Sequence, residues 1–85
     1  LILAEVAKAL RLGIIHADLS EFNILVAESG PKIIDWPQAV EVTHPHAREL
    51  LVRDLDNVLS FFQRKYGIRV PLEEALQRMQ GAERI

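Results

Sequence analysis

Eighty-five residues, 49% of them hydrophobic and 26% charged, make at most one small globular domain and exclude a disordered tail. The absence of cysteine rules out disulfides and thiolate metal sites and fits a reducing compartment, while a formal net charge of -2 leaves no electrostatic footprint for nucleic acid. The apolar start Leu1-Ile2-Leu3-Ala4 is broken by Glu5, Lys8 and Arg11, so it is neither a membrane span nor a signal peptide.

Leu3, Val6, Ala7 and Leu10 recur at helical spacing and Gly13 follows as a stop, which predicts an amphipathic helix over Leu1 to Leu12. A chain that opens inside such a pattern, with neither an initiator Met nor an N-cap, is expected to be a piece of a longer protein. Ile14 and Ile15 then lead into His16-Ala-Asp-Leu-Ser-Glu-Phe-Asn. Ile24-Leu25-Val26 and Lys32-Ile33-Ile34 are short β-type runs separated by the turn residues Glu28-Ser29-Gly30-Pro31, so a hairpin is expected between Asn23 and Asp35.

That hairpin would bring together Asp18, Asn23 and Asp35, two carboxylates and an amide in the order used for phosphoryl transfer. Such chemistry needs a divalent ion held on the phosphate oxygens and an oxygen nucleophile in line with the bond being broken. Mg2+ prefers oxygen ligands and takes only one or two carboxylates from the protein, a demand that Asn23 and Asp35 fit. Asp18 then accepts the proton of the attacking hydroxyl, or orients a water. We read His16 as a hydrogen-bonded scaffold residue, because Asp18 already fills the role of base.

Beyond Asp35, Trp36-Pro37 stiffens the backbone, and we expect Asp35 to be held in one orientation. Thr43-His44-Pro45-His46 reads as a helix start, with Thr43 or His44 as the cap. A metal site at His44 and His46 is the weaker reading, since no third imidazole or soft ligand lies nearby in sequence. The long helix that follows carries a stripe of Leu51, Leu55, Val58, Phe62 and Tyr66, widened by Leu50, Leu59 and Phe61 and closed by Gly67. In its middle, Arg53 and Asp54 are either a solvated charge pair, or Asp54 is buried and accepts backbone N–H groups of the His16 to Asp18 loop. Pro71 opens a last packing helix with Leu72, Ala75, Leu76 and Met79 on one face and Gly81 beyond it.

The motifs His-Ala-Asp-Leu-Ser-Glu-Phe-Asn, Ile-Ile-Asp-Trp-Pro-Gln-Ala-Val, His-Pro-His-Ala and Arg-Asp-Leu-Asp-Asn-Val-Leu-Ser-Phe-Phe together resemble the C-terminal lobe of the RIO-family atypical protein kinases. The likeness is strongest from Gly13 to Phe62. It implies an α+β fold, mainly helical, with a short hairpin carrying the metal ligands, and makes residues 1–85 part of a kinase domain whose N-terminal lobe lies elsewhere. It further implies a catalytic Asp18, and Mg2+ (or Mn2+) and ATP held through Asn23 and Asp35. A transient aspartyl-phosphate on Asp35 would make that residue catalytic as well. The implied setting is cytoplasmic, in maturation of the small ribosomal subunit.

Departures from ordinary protein kinases carry their own message. Ala17 stands where an Arg would answer a phosphorylated activation loop, and Ser20 where a phosphate-contacting Lys would be. Only Trp36 to Thr43 separate Asp35 from the expected helix start, too little for a regulated activation segment. The chain also lacks a glycine-rich loop, a strand Lys and its Glu partner, so by itself it should bind ATP weakly. Two other functions stay open on the sequence: a small-molecule phosphotransferase of the aminoglycoside or choline type, which shares His-x-Asp-x-x-x-x-Asn, and a truncated, non-catalytic interaction module.

Overall fold

The computed structural model describes residues 2–83, with side chains for residues 2–80. Helix α1 (Ile2–Arg11) forms because Ile2, Val6 and Leu10, four residues apart, stack along one face, and all three are buried. Leu3 and Ala7 flank this row and are only partly buried, so the apolar stripe is rotated from the expected one; Leu1 lies outside the described residues. Gly13, at φ 84, ends the helix, and its N–H donates to the Leu10 carbonyl at 2.9 Å.

Strand β1 (Ile14–Ile15) pairs antiparallel with β4 (Val40–Glu41), Ile14 opposite Glu41 and Ile15 opposite Val40. The sequence does not announce this ribbon, because two-residue strands are too short to show an alternation. Between the two lie a 3-10 turn (Glu21–Asn23), capped by the Ser20 hydroxyl at 3.3 Å from the Phe22 N–H, and the hairpin of β2 (Ile24–Ala27) and β3 (Gly30–Ile33). The hairpin is as expected, with Ile24 facing Ile33, but its turn is confined to Glu28 and Ser29, and Gly30 and Pro31 belong to the strand. Pro31 is tolerated there because a two-stranded sheet consists only of edges, where a missing N–H need not break a ladder.

Helix α2 (Ala47–Tyr66) begins later than the sequence suggested. The His44 Nδ1 atom accepts the His46 N–H at 3.0 Å and turns residues 44–46 into a local bend, so His46 occupies the cap position, without a side-chain hydrogen bond, in place of Thr43 or His44. The buried face is Ala47, Leu51, Asp54, Leu55 and Val58; Phe62 is half-buried, and Tyr66, 58% exposed, has left the stripe. Gly67, at φ 67, closes the helix as expected and donates its N–H to the Gln63 carbonyl at 3.1 Å.

Helix α3 (Leu72–Glu83) follows Pro71, buries Ala75 and Met79, and continues through Gly81, which the sequence reading had set beyond its end. A glycine inside a helix costs only about 1 kcal/mol, which neighbouring turns can carry. The core forms where α1 and α2 meet α3 and both rest on β1, with Leu19 from the His16 loop inserted into it. Among the described residues no helix is long and apolar enough to cross a membrane.

Candidate active site

The backbone from His16 to Ser20 is an irregular loop whose polar groups need partners other than a ladder. Most are supplied by α2. Asp54, 1% exposed, accepts the Ala17 N–H on Oδ2 at 2.8 Å and the Leu19 N–H on Oδ1 at 3.0 Å, so the buried-acceptor reading of Asp54 holds and the solvated charge pair does not. Burial pushes the Asp54 carboxyl above the ordinary carboxylate range; the N–H bonds from Leu19 and Ala17 and the nearby His16 and Arg53 pull it back without cancelling the effect. Arg53 Nη2 donates to the Ala17 carbonyl at 2.7 Å and Asn57 Nδ2 to the Leu19 carbonyl at 3.2 Å.

These two contacts were missed in the sequence. The signal that could have found them is the placing of Arg53 and Asn57 four apart beside Asp54, which puts three polar groups on one side of the helix, next to its buried row. Between them they hold Ala17 at φ 72, a left-handed conformation unusual for a residue with a Cβ. Asp18, which follows, is exposed.

Asn23 is buried and its Nδ2 donates to the Asp18 carbonyl at 2.6 Å, joining the two ends of the 18–23 segment. The Asn23 carbonyl accepts the Ile34 N–H at 2.8 Å, one rung beyond the hairpin, so Asn23 lies beside the residue that precedes Asp35. Asp35 is exposed, at φ 60, and both carbonyls before it are held: Ile33 by the Trp36 indole N–H at 3.0 Å and Ile34 by His16 Nε2 at 2.8 Å. Pro37 was expected to restrain Asp35; the hydrogen bonds that bracket it come from His16 and Trp36, whose rings lie 4.8 Å apart.

His16 is buried and serves as scaffold, as read from the sequence. Its Nδ1 accepts the Asp18 N–H at 3.2 Å while Nε2 meets the Ile34 carbonyl, so one ring ties the Asp18 loop to the Asp35 strand. His44 and His46, with ring centroids 5.8 Å apart, belong to no group of three or more His, Cys, Asp or Glu side chains suited to a metal among the described residues. Asp18, Asn23 and Asp35 are thus neighbours through the Asp18 carbonyl, the Ile34 peptide and the His16 ring. Two exposed carboxylates and a buried amide are all hard oxygen donors.

Comparison with known proteins gives a consistent answer. The RIO domain family model matches residues 1–75. The RIO-type serine/threonine-protein kinase Rio2 of Methanocaldococcus jannaschii is 56% identical over 68 residues, which cover 79% of this chain and 25% of that protein. The human serine/threonine-protein kinase RIO3 is 49% identical over 61 residues, 72% of this chain and 12% of that protein. The chain therefore spans a quarter or less of the length of these curated relatives. Among solved structures, the Rio2 kinase of Chaetomium thermophilum aligns with a TM-score of 0.73 at 27% identity, covering 95% of this chain and 32% of that one. Its ADP/Mg2+-phosphoaspartate complex aligns at 0.72, also at 27% identity, covering 95% and 31%. With a kinase-like fold shared along nearly its whole length, the chain belongs to the RIO domain family.

Proposed function

We propose that this chain is the C-terminal lobe of a RIO-type serine/threonine kinase or ATPase, and that it supplies the proton acceptor and the metal ligands for phosphoryl transfer from Mg-ATP. The observation that carries the reading is the 2.6 Å bond from Asn23 Nδ2 to the Asp18 carbonyl. It commits the amide nitrogen to the loop and leaves Oδ1 as the Asn23 side-chain atom with lone pairs for a cation. The exposed Asp35 carboxylate completes a pair of hard oxygen ligands of the type that Mg2+ or Mn2+ takes. An ion held there would offset the negative charge of the phosphate oxygens.

The residues of the chain do the rest. Asp18 accepts the proton of an attacking Ser or Thr hydroxyl, or turns a water toward the phosphorus. In the aspartyl-phosphate route, an Asp35 oxygen forms the bond to the γ-phosphorus as the bond to the ADP oxygen breaks. Water then cleaves the acyl phosphate and restores the carboxylate. The phosphoaspartate complex of the Chaetomium thermophilum Rio2 kinase supports this route. The N-terminal lobe, the pre-ribosomal small subunit and a cytoplasmic setting complete the proposal.

The test uses the full-length protein with labelled Mg-ATP, following turnover and any phosphoryl group retained on the protein. Asp18→Asn, Asn23→Ala and Asp35→Asn should each lower turnover by about 100-fold or more, and only Asp35→Asn should abolish an alkali-labile label on the peptide spanning Asp35. Wild-type turnover in the Asp18 and Asp35 variants would refute the assignment.

A further inference from the structure

Asp54 secures N–H groups of the Asp18 loop, but a peptide has two polar ends. The carbonyl of Ala17 is exactly opposite in demand: it needs a donor, and Arg53 provides one at 2.7 Å. The same peptide unit ends in the Asp18 N–H, which donates to His16 Nδ1 at 3.2 Å, and the far side of that ring meets the Ile34 carbonyl at 2.8 Å. Guanidinium, peptide, imidazole and carbonyl therefore form one continuous chain of hydrogen bonds from α2 to the residue before Asp35.

The direction of this chain is set by its ends. Arg53 can only donate and the Ile34 carbonyl can only accept, so every bond between them points the same way. An N–H arriving at Nδ1 requires a lone pair there, which puts the ring hydrogen on Nε2. Drawing electron density from the Ala17 carbonyl toward a full positive charge makes the N–H of that peptide a better donor, so the bonds reinforce one another. Ala17, in its left-handed conformation, would otherwise be free to turn its carbonyl away.

We infer that Arg53 is a positioning residue for phosphoryl transfer: by gripping the Ala17–Asp18 peptide it aims the Asp18 N–H at the His16 ring and keeps Asp18 in register with Asp35. The inference rests on the reading of Asp18 as proton acceptor. It differs from a purely structural role because the exposed Arg53 meets the loop at the Ala17 carbonyl, next to Asp18, and so bears on the relative placement of the two proposed catalytic side chains. Asn57, donating to the Leu19 carbonyl at 3.2 Å, anchors the other end of the loop but lies outside this chain of bonds.

The experiment is made on the full-length protein with Arg53→Ala, Arg53→Lys and Asp18→Asn. Arg53→Ala should lower kcat by about 10- to 100-fold, the scale of a small misplacement of reacting groups, with KM for ATP within about twofold of wild type. Arg53→Lys should recover much of kcat, since an ammonium also donates to a carbonyl. Nitrogen-15 correlation spectra of the His16 ring should show the hydrogen on Nε2 in wild type, and a shifted Nδ1 resonance in Arg53→Ala as the Asp18 N–H bond to it weakens. Unchanged kcat with an unshifted Nδ1 resonance in Arg53→Ala would overturn the inference, as would a rise in KM that Arg53→Lys fails to reverse. If Asp18→Asn keeps wild-type kcat, the reading of Asp18 is what fails; the His16 Nδ1 resonance of Arg53→Ala then decides on Arg53, a shift supporting the positional link and no shift overturning it.

Discussion

Replacing Asp54 by Ala removes a side chain that is 1% exposed and orphans two N–H groups on residues that are themselves buried, Ala17 at 6% and Leu19 at 1% exposure. A buried donor left without an acceptor costs about 1–3 kcal/mol, so two cost about 2–6 kcal/mol. Against this, the variant no longer desolvates a carboxylate and lets Ala17 relax from its left-handed conformation. Since burial outweighs the favourable contacts of the Asp54 charge, the net loss falls in the lower part of that range, about 2–3 kcal/mol. At roughly 0.05–0.15 kcal/mol per residue, a domain of this size has about 4–13 kcal/mol to lose, so the effect is large. Asp54→Asn keeps one acceptor and places an NH2 against the other N–H, and should cost about half as much. Urea unfolding of the chain, followed by circular dichroism, measures both. An Asp54→Ala variant within about 0.5 kcal/mol of wild type would refute the claim that this carboxylate organises the loop.

Three other outcomes follow from the same structure. Because the folded-state value of Asp54 is raised, its contribution to stability is fully present below its unfolded value of about 3.9 and declines as pH rises through the folded value; the gap between wild type and Asp54→Asn should therefore narrow with rising pH across that window and then stay constant, and a widening gap in pH-dependent unfolding would contradict the burial argument. Gly67→Ala should lose about 1 kcal/mol of stability from its φ of 67 alone, since nothing lies within 4 Å of an added Cβ; an unchanged unfolding midpoint would mean that the left-handed cap is not retained in solution. Titration calorimetry of the 85-residue chain with Mg-ATP should show weak binding, and micromolar affinity would remove the need for an N-terminal lobe.

What could be read from the sequence divides along a physical line. Helices α1, α2 and α3 and the β2–β3 hairpin were legible because burial imposes a period, and Gly13 and Gly67 were legible as stops because each takes a φ that other residues avoid. Asp54 was legible because a carboxylate amid Leu51, Leu55 and Val58 has no stable state without acceptor work to do. The start of α2 was misplaced because His44 Nδ1 takes the His46 N–H that a Thr43 cap would have accepted, a local choice that composition does not reveal. The β1–β4 ribbon was invisible because two residues define no period.

The candidate site could be proposed from the sequence as a list of side chains, but the groups that hold the backbone around them could not. Asp18, Asn23 and Asp35 stand out because their chemistry is in their side chains. Arg53, Asn57 and Trp36 act through backbone carbonyls, and a carbonyl is the same at every position, so no residue type marks the partner. What these three share is that each meets the loop or strand where the backbone departs from regular geometry: Arg53 and Asn57 around Ala17 at φ 72, Trp36 beside Asp35 at φ 60. Two residues with side chains are held in a region costing about 1–3 kcal/mol each, and each lies at or next to a proposed catalytic carboxylate. Such strain persists only where surrounding bonds over-determine the backbone, which is what Arg53, Asp54 and Asn57 do on one side and His16 and Trp36 on the other. The long helix and the segments flanking the hairpin are therefore more than packing elements: Arg53, Asp54 and Asn57 on α2, with His16 and Trp36 beside the hairpin, hold the backbone in the left-handed conformations found at Ala17 and Asp35, next to or at the proposed catalytic carboxylates.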